Sequence, residues 1–178
     1  MLFVPGSPFM KFQKNRIFWI AAILSLIVDH LTKFWVVQTL ELTSPPQTIP
    51  LWPDVFHFTY VINTGAAFSL FSNGGVFWLR WLSLGVSLGL MALAWWGPRF
   101  IRWEQTGYGL ILGGALGNGI DRFISGHVVD FLDFRLIQFP IFNLADVSIN
   151  IGIICLLIAM FIHEHPRHPP SDPSSGNL

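Results

Sequence analysis

Charge is scarce in this sequence: Asp, Glu, Lys and Arg make up 11% of 178 residues, where a soluble domain carries about 25%. That shortage, beside 52% hydrophobic residues, excludes an ordinary water-soluble domain and points to lipid. There is no basic excess either. Lys plus Arg number 10 and Asp plus Glu number 10, so nothing in the charge balance suits a nucleic acid. Cysteine is nearly absent. Cys155 stands alone in an apolar run, which rules out an internal disulfide and a CxxC metal site and leaves a small packing residue. A cleavage motif is missing as well. Lys11, Lys14 and Arg16 precede an apolar stretch from Ile17 to Val28, as in a secretory leader. The stretch runs on through Asp29-His30-Leu31-Thr32-Lys33 into more apolar residues to Val37, so a retained first helix is the better reading.

What the sequence has in quantity is long hydrophobic runs. Four are long enough to cross a bilayer at about 20 residues each: Ile17–Val37, Val76–Trp96, Thr106–Ser125 and Phe139–Ile162. The third is the least apolar. It carries Gly107, Gly109, Gly113, Gly114, Gly117 and Gly119, and small residues let membrane helices approach closely. Tryptophans bracket the runs: Trp19 and Trp35, then Trp78, Trp81, Trp95 and Trp96, with Trp103 before the third. Indole rings favour the headgroup level. Lys11, Lys14, Arg16, Arg99, Arg102 and Arg167 fall on one side of this topology, while Gln38 to Gly75 contains no Lys or Arg. Both termini are therefore expected in the cytoplasm, with the two longer connections outside. The fold expected is an all-α integral membrane protein with four transmembrane helices. In the first connection, alternation around Phe56-His57-Phe58-Thr59-Tyr60 predicts short strands in a small extracytoplasmic β-containing loop region. The tail from His163 is rich in Pro, His and Ser and is expected to be disordered. His163, His165 and His168 lack companion ligands for a metal site.

The polar residues of the apolar runs share one depth. At ~1.5 Å of rise per residue, Asp29 and Lys33 fall in the outer half of the first helix. Asn118, Asp121 and Arg122 lie near the outer end of the third. Asn143, Asp146 and Asn150 lie in the first turns of the fourth, at i, i+3 and i+7, as one stripe facing the bundle. Asp130 follows Gly126 and can fold back toward the mouth of the bundle. Ionisable residues inside membrane helices are costly and functional by default, so a single hydrated site near the outer leaflet is expected. Asp29 and Lys33, at i, i+4, can pair in a supporting role, or Lys33 can snorkel outward. Asp121 and Arg122 read as a brace at a helix end, and Asp54 and Asp133 as solvated loop residues. Asp146, between Ala145 and Val147, and Asp130, between Val129 and Phe131, are harder to assign to packing. Two carboxylates close together in a low-dielectric site share a proton. The ionised one can then take a proton from water while the neutral one polarises a carbonyl. Ser125 and Ser148 lack a base, and His127 reads as a turn residue.

Five ordered segments carry a resemblance: Asp29-His30-Leu31-Thr32-Lys33, Asn63-Thr64-Gly65-Ala66-Ala67-Phe68-Ser69, Gly113 to Arg122, Gly126-His127-Val128-Val129-Asp130-Phe131, and Phe142-Asn143-Leu144-Ala145-Asp146. In order and spacing the chain resembles the bacterial lipoprotein signal peptidase (signal peptidase II) family along roughly Ile17 to Ile162. The resemblance implies an intramembrane aspartyl endopeptidase that removes the signal peptide of lipid-modified prolipoproteins just before the diacylglyceryl cysteine. It implies Asp130 and Asp146 as the catalytic pair. Asn118, Arg122 and Asn143 match motif positions around them, Asp29 and Lys33 the first-helix motif, and Asn63 and Gly65 the loop motif near the substrate entrance. It implies no metal and no organic cofactor. The chain departs from the family pattern in its N-terminal arm, its proline-rich tail, and Gly119, where other members often carry a larger residue.

The organisation expected is a cytoplasmic arm over 1–16, a membrane peptidase domain over 17–162 and a cytoplasmic tail over 163–178. The expected setting is the bacterial cytoplasmic (inner) membrane. The expected partners are prolipoprotein substrates and membrane lipids, with no nucleic acid and the chain a monomer. A transporter or proton relay is the alternative, but it needs polar groups through the full thickness, and here the inner halves of the helices carry almost none. An assembly subunit would not need two carboxylates at one depth.

Overall fold

The computed structural model describes residues 14–65, 75–137 and 139–164. Residues 66–69 of the loop motif, Lys11 of the arm and most of the histidine-rich tail lie outside them. Four long helices carry the chain: α1 (Arg16–Thr39), α2 (Gly75–Trp96), α3 (Arg102–Ile124) and α4 (Leu144–Glu164). Three strands, β1 (Thr48–Trp52), β2 (Phe56–Asn63) and β3 (Val128–Phe134), form one antiparallel sheet in the order β1-β2-β3. Helices α1, α2 and α4 contain stretches long and apolar enough to cross a membrane; α3 does not reach that hydropathy.

The reason lies in where α3 sits. It packs against each of the other three helices, so its surface faces protein rather than lipid. Gly109, Gly113 and Gly117, spaced by four, form one groove along it. A Cβ on Gly109 would stand 2.4 Å from the Phe18 carbonyl oxygen, and one on Gly113 would stand 2.6 Å from the Ser25 Cβ. Both distances are shorter than van der Waals contact, so α1 can pack this closely only against glycine. On the other face a Cβ on Gly114 would stand 2.4 Å from the Ala145 carbonyl oxygen of α4. Gly119, the departure from the family pattern, lies where a Cβ would meet the Ser83 Cβ of α2 at 3.0 Å. By contrast α1, α2 and α4 turn Leu24, Leu31, Phe34, Leu82, Ile154 and Phe161 outward, all more than half exposed. Such an apolar exterior suits hydrocarbon, not water.

The sheet covers one end of the bundle. Phe131 and Leu132 of β3 and Tyr60 of β2 bury against Val36 and Leu40 at the end of α1. Past α3, Gly126 takes a φ of +74°, a left-handed conformation that suits glycine, and the chain turns into β3. Two differences from expectation concern this end. The fourth helix begins at Leu144, not near Phe139: the Phe142 carbonyl accepts the Phe131 and Leu132 amides at 3.0 and 2.8 Å, which holds the preceding residues extended against β3. Asp133 is not a solvated loop residue. It lies buried on β3, accepts a hydrogen bond from the Thr59 hydroxyl at 2.6 Å and pairs with Arg135 at 3.0 Å.

Candidate active site

The start of α4 is organised by two of its own residues. Asn143 precedes the helix, and its side-chain oxygen accepts the Asp146 amide at 3.1 Å. In return the Asp146 carboxylate accepts the Asn143 amide at 3.2 Å. This reciprocal cap satisfies amides that a helix start leaves unpaired and fixes the direction of the Asp146 carboxylate. Its other oxygen accepts from the Asn118 side chain of α3 at 2.8 Å.

Asp130 enters from β3, cross-strand from Val61. A bulge lies between Phe58 and Val61 on β2, and bulges re-aim neighbouring side chains. The Asp130 carboxylate accepts from Asn143 Nδ2 at 2.6 Å and from Asn63 Nδ2 at 2.9 Å. Asn143 therefore touches both carboxylates, one through its side chain and one through its backbone. Asp130 is 3% exposed, and burial pushes its pKa up to about 6, with the charge of Asp146 adding to the rise and the Asn63 and Asn143 hydrogen bonds opposing it. Both carboxylates line one cavity of about 520 Å³, polar where Asn63, Asn118, Arg122 and Asn143 face it and apolar along Val147, Ile151 and Ile154.

A second layer lies behind. Lys33 is buried, and its ammonium reaches Asp29 at 2.8 Å, Asp121 at 2.7 Å and the Asn118 side-chain oxygen at 2.9 Å. It does not snorkel, because two carboxylates and an amide meet it inside the bundle. Asp29, wholly buried, also accepts the Ala145 amide of α4 at 2.9 Å, an anion at a helix N-terminus. Arg122 donates to the carbonyls of Gly65 and Asn118, each at 3.2 Å, and so ties the loop motif to α3. The ten residues singled out from the sequence thus form one connected cluster. Asn150, the last residue of the expected stripe, lines the same cavity as Asn143 and Asp146 but at its exposed edge, where it donates to the Asp146 carbonyl at 2.9 Å. Sequence reasoning missed the binding of Asp29 to Ala145. Its only signal was the small residue beside Asp146, which lets α1 come close.

A polar pocket lined by two carboxylates, the buried Asp130 and the half-buried Asp146, set at one end of a helical bundle with an apolar exterior, defines the class of membrane-embedded enzymes. A solved bacterial membrane enzyme shares this fold with a TM-score of 0.74 at 28% identity, over 86% of this chain and 92% of the other. A second solved bacterial membrane enzyme superposes with a TM-score of 0.69, also at 28% identity, over 79% of this chain and 90% of the other. Residues 21–162 match the signal peptidase (SPase) II family. The lipoprotein signal peptidase of Cyanothece sp. is 70% identical over 93% of this chain and 98% of its own length. That of Nostoc sp. strain PCC 7120 is 64% identical over 89% and 100%. The chain belongs to the signal peptidase II family, a family of proteases.

Proposed function

We propose that the chain cleaves the signal peptide from lipid-modified prolipoproteins just before the diacylglyceryl cysteine, with Asp130 and Asp146 as the catalytic pair. The observation that carries this reading is the shared hold of Asn143 on both carboxylates at the wall of one cavity. Two carboxylates facing a common water cannot both ionise easily, so one keeps a proton. The ionised one takes a proton from the water as its oxygen attacks the scissile carbonyl carbon. The protonated one donates to the carbonyl oxygen. The tetrahedral intermediate then collapses with cleavage of the C–N bond: the carboxyl that took the water's proton gives it to the leaving nitrogen, and the other carboxylate takes back a proton from the intermediate's hydroxyl. Residues Asn63, Asn118 and Asn143 orient the carboxylates, and Asp29, Lys33 and Asp121 hold those residues from behind. Gly65 and Arg122 join the substrate-entrance loop to the site.

In this reading all four helices span the bilayer. At ~1.5 Å per residue the 23 residues of α3 cover about 34 Å, enough to cross, and its glycines and polar groups are shielded by its neighbours. The basic residues at 11, 14, 16, 99, 102 and 167 support cytoplasmic termini. The site then lies near the outer leaflet of the bacterial inner membrane, the sheet forms its rim, and the substrate's signal helix enters laterally while its lipid chains stay in the bilayer. In this reading 17–162 is the peptidase domain, and the chain works as a monomer. The test is cleavage of a lipid-modified prolipoprotein by purified protein in detergent. Asp130→Asn and Asp146→Asn each lower the rate by about a thousandfold, within the range for general acid–base groups, while remaining folded. Near-normal cleavage by either variant would remove that residue from the pair.

A further inference from the structure

The bundle end away from the carboxylates holds a second cavity, which the proposed reaction does not use. Its volume is about 360 Å³, and Lys14, Arg16, Arg99, Phe100, Arg102 and Gln105 line it. The walls are fixed by buried polar side chains. Asn15, wholly buried, donates to the carbonyls of Ala94 at 3.0 Å and Pro98 at 3.2 Å and accepts the Phe100 amide at 3.0 Å. Gln105, also buried, donates to the Phe100 carbonyl at 2.8 Å and accepts the Ile17 amide at 3.1 Å. The start of α1, the α2–α3 connection and the start of α3 are thereby tied into one rim.

Among the described residues, the cations on that rim have no carboxylate partner. Lys14 donates to the Gly97 carbonyl. Among the described residues the ion pairs involve only His30, Lys33 and Arg135 as cations, so Arg16, Arg99 and Arg102 stand exposed and unpaired around the cavity. Glu104, the acid nearest in sequence, is turned to the Ile101 amide at 2.9 Å. Residues 1–13 contain no Asp or Glu that could fill the gap. Depth argues for the occupant. Arg102 and Arg122 are separated along α3 by ~30 Å at 1.5 Å per residue, the thickness of the hydrocarbon core. With the carboxylates at one headgroup layer, the arginines lie at the other. Trp96 ends α2 and Trp103 opens α3 on either side of the connection that lines the cavity, 73% and 43% exposed, as rings at a membrane interface are. Guanidinium groups grip phosphate oxygens in a bidentate fork, and basic pockets between membrane helices bind anionic headgroups.

We propose that this cavity binds the phosphate of an anionic phospholipid from the leaflet opposite the carboxylates, an inference that rests on the bundle spanning the bilayer. The experiment uses the purified full chain in mild detergent. Phosphatidylglycerol or phosphatidylcholine is titrated in, and retained lipid is counted by mass spectrometry of the intact protein beside its melting temperature. The wild type retains phosphatidylglycerol selectively. Each of Arg16→Gln, Arg99→Gln and Arg102→Gln weakens retention about fivefold, and the triple variant about a hundredfold, from the ~1 kcal/mol that one basic residue near an anionic surface contributes. A triple Lys variant keeps most of the selectivity, which separates charge from fold. Equal retention of the two lipids by the wild type overturns the proposal, and so does undiminished retention by the triple Gln variant. Inorganic phosphate competing as well as the lipid would make the ligand a soluble anion and overturn it too. No arm reads cleavage, so the result stands apart from the assignment of Asp130 and Asp146.

Discussion

Lys33 holds its ammonium 2.8 Å from the Asp29 carboxylate and 2.7 Å from that of Asp121, with the first pair almost wholly enclosed. One cation thus faces two anions from two helices. Lys33→Met leaves both carboxylates without it, and breaking a buried pair costs about 3–5 kcal/mol. The expected result is a large drop in unfolding free energy in detergent, partly recovered in Asp29→Asn/Lys33→Met. A loss below about 1 kcal/mol, the range of exposed pairs, would mean that the cluster is wet and weak.

Asp130 links function to a stability cost. Its pKa rises from an ordinary 3.8 to about 6 in the folded protein, so the folded state binds the proton more tightly than the unfolded one. The stability this supplies is fully present below pH 3.8 and is lost as pH rises through about 6. Asp130→Asn removes the ionisation, so the inactive variant is more stable than wild type at pH 7.5 by up to about 3 kcal/mol. The advantage shrinks as pH falls toward 4. Unfolding measured across this range checks the slope, and a variant less stable at every pH would contradict it.

Glycine positions predict opposite outcomes on different helices. Gly114→Ala drives a Cβ to 2.4 Å from the Ala145 carbonyl oxygen, so α4 is displaced with Asp146 on it. Overpacking of this kind costs about 1–3 kcal/mol, and cleavage falls with stability. Gly85→Ala and Gly89→Ala on α2 meet nothing within 4 Å. They leave activity intact and gain up to about 1 kcal/mol from helix propensity. Melting curves and rates for the three variants side by side decide the matter.

Asn143 has two separable duties. Asn143→Ala removes the cap on α4, costing about 1 kcal/mol, and also the contact to Asp130. The turnover number is expected to fall about a hundredfold with the Michaelis constant little changed, the pattern of a group acting in the transition state. Asn143→Ser restores a capping oxygen but cannot reach Asp130, so it recovers stability and not rate. Recovery of both would reduce Asn143 to a helix cap.

Much of the site was legible because its residues are out of place. Asp130, Asp146 and Asn118 interrupt apolar or glycine-rich sequence, and depth alone brings them to one level. Their partners were less legible. That Lys33 meets Asp121 and Asn118 rather than snorkelling depends on how far α1 sinks into the glycine groove of α3, a distance that periodicity does not give. The burial of Asp133 follows from strand pairing with β2, more than seventy positions away from its Thr59 partner. Hydropathy also ran the fourth helix back to Phe139, since it cannot tell an apolar strand-like segment from a helical one. Backbone hydrogen bonds from β3 to Phe142 decide that boundary.

The i, i+4 pairing of Asp29 with Lys33 has a consequence for biogenesis. Asn118, the next partner of Lys33, lies 85 residues downstream. At about 5–20 residues per second, the ribosome reaches it on the order of ten seconds after α1 is made. A lone ammonium or carboxylate inside lipid is costly for all that time. Because the two charges neutralise each other within one helix, α1 can enter the bilayer early and wait, its ion pair already closed, for the helices that will complete the cluster.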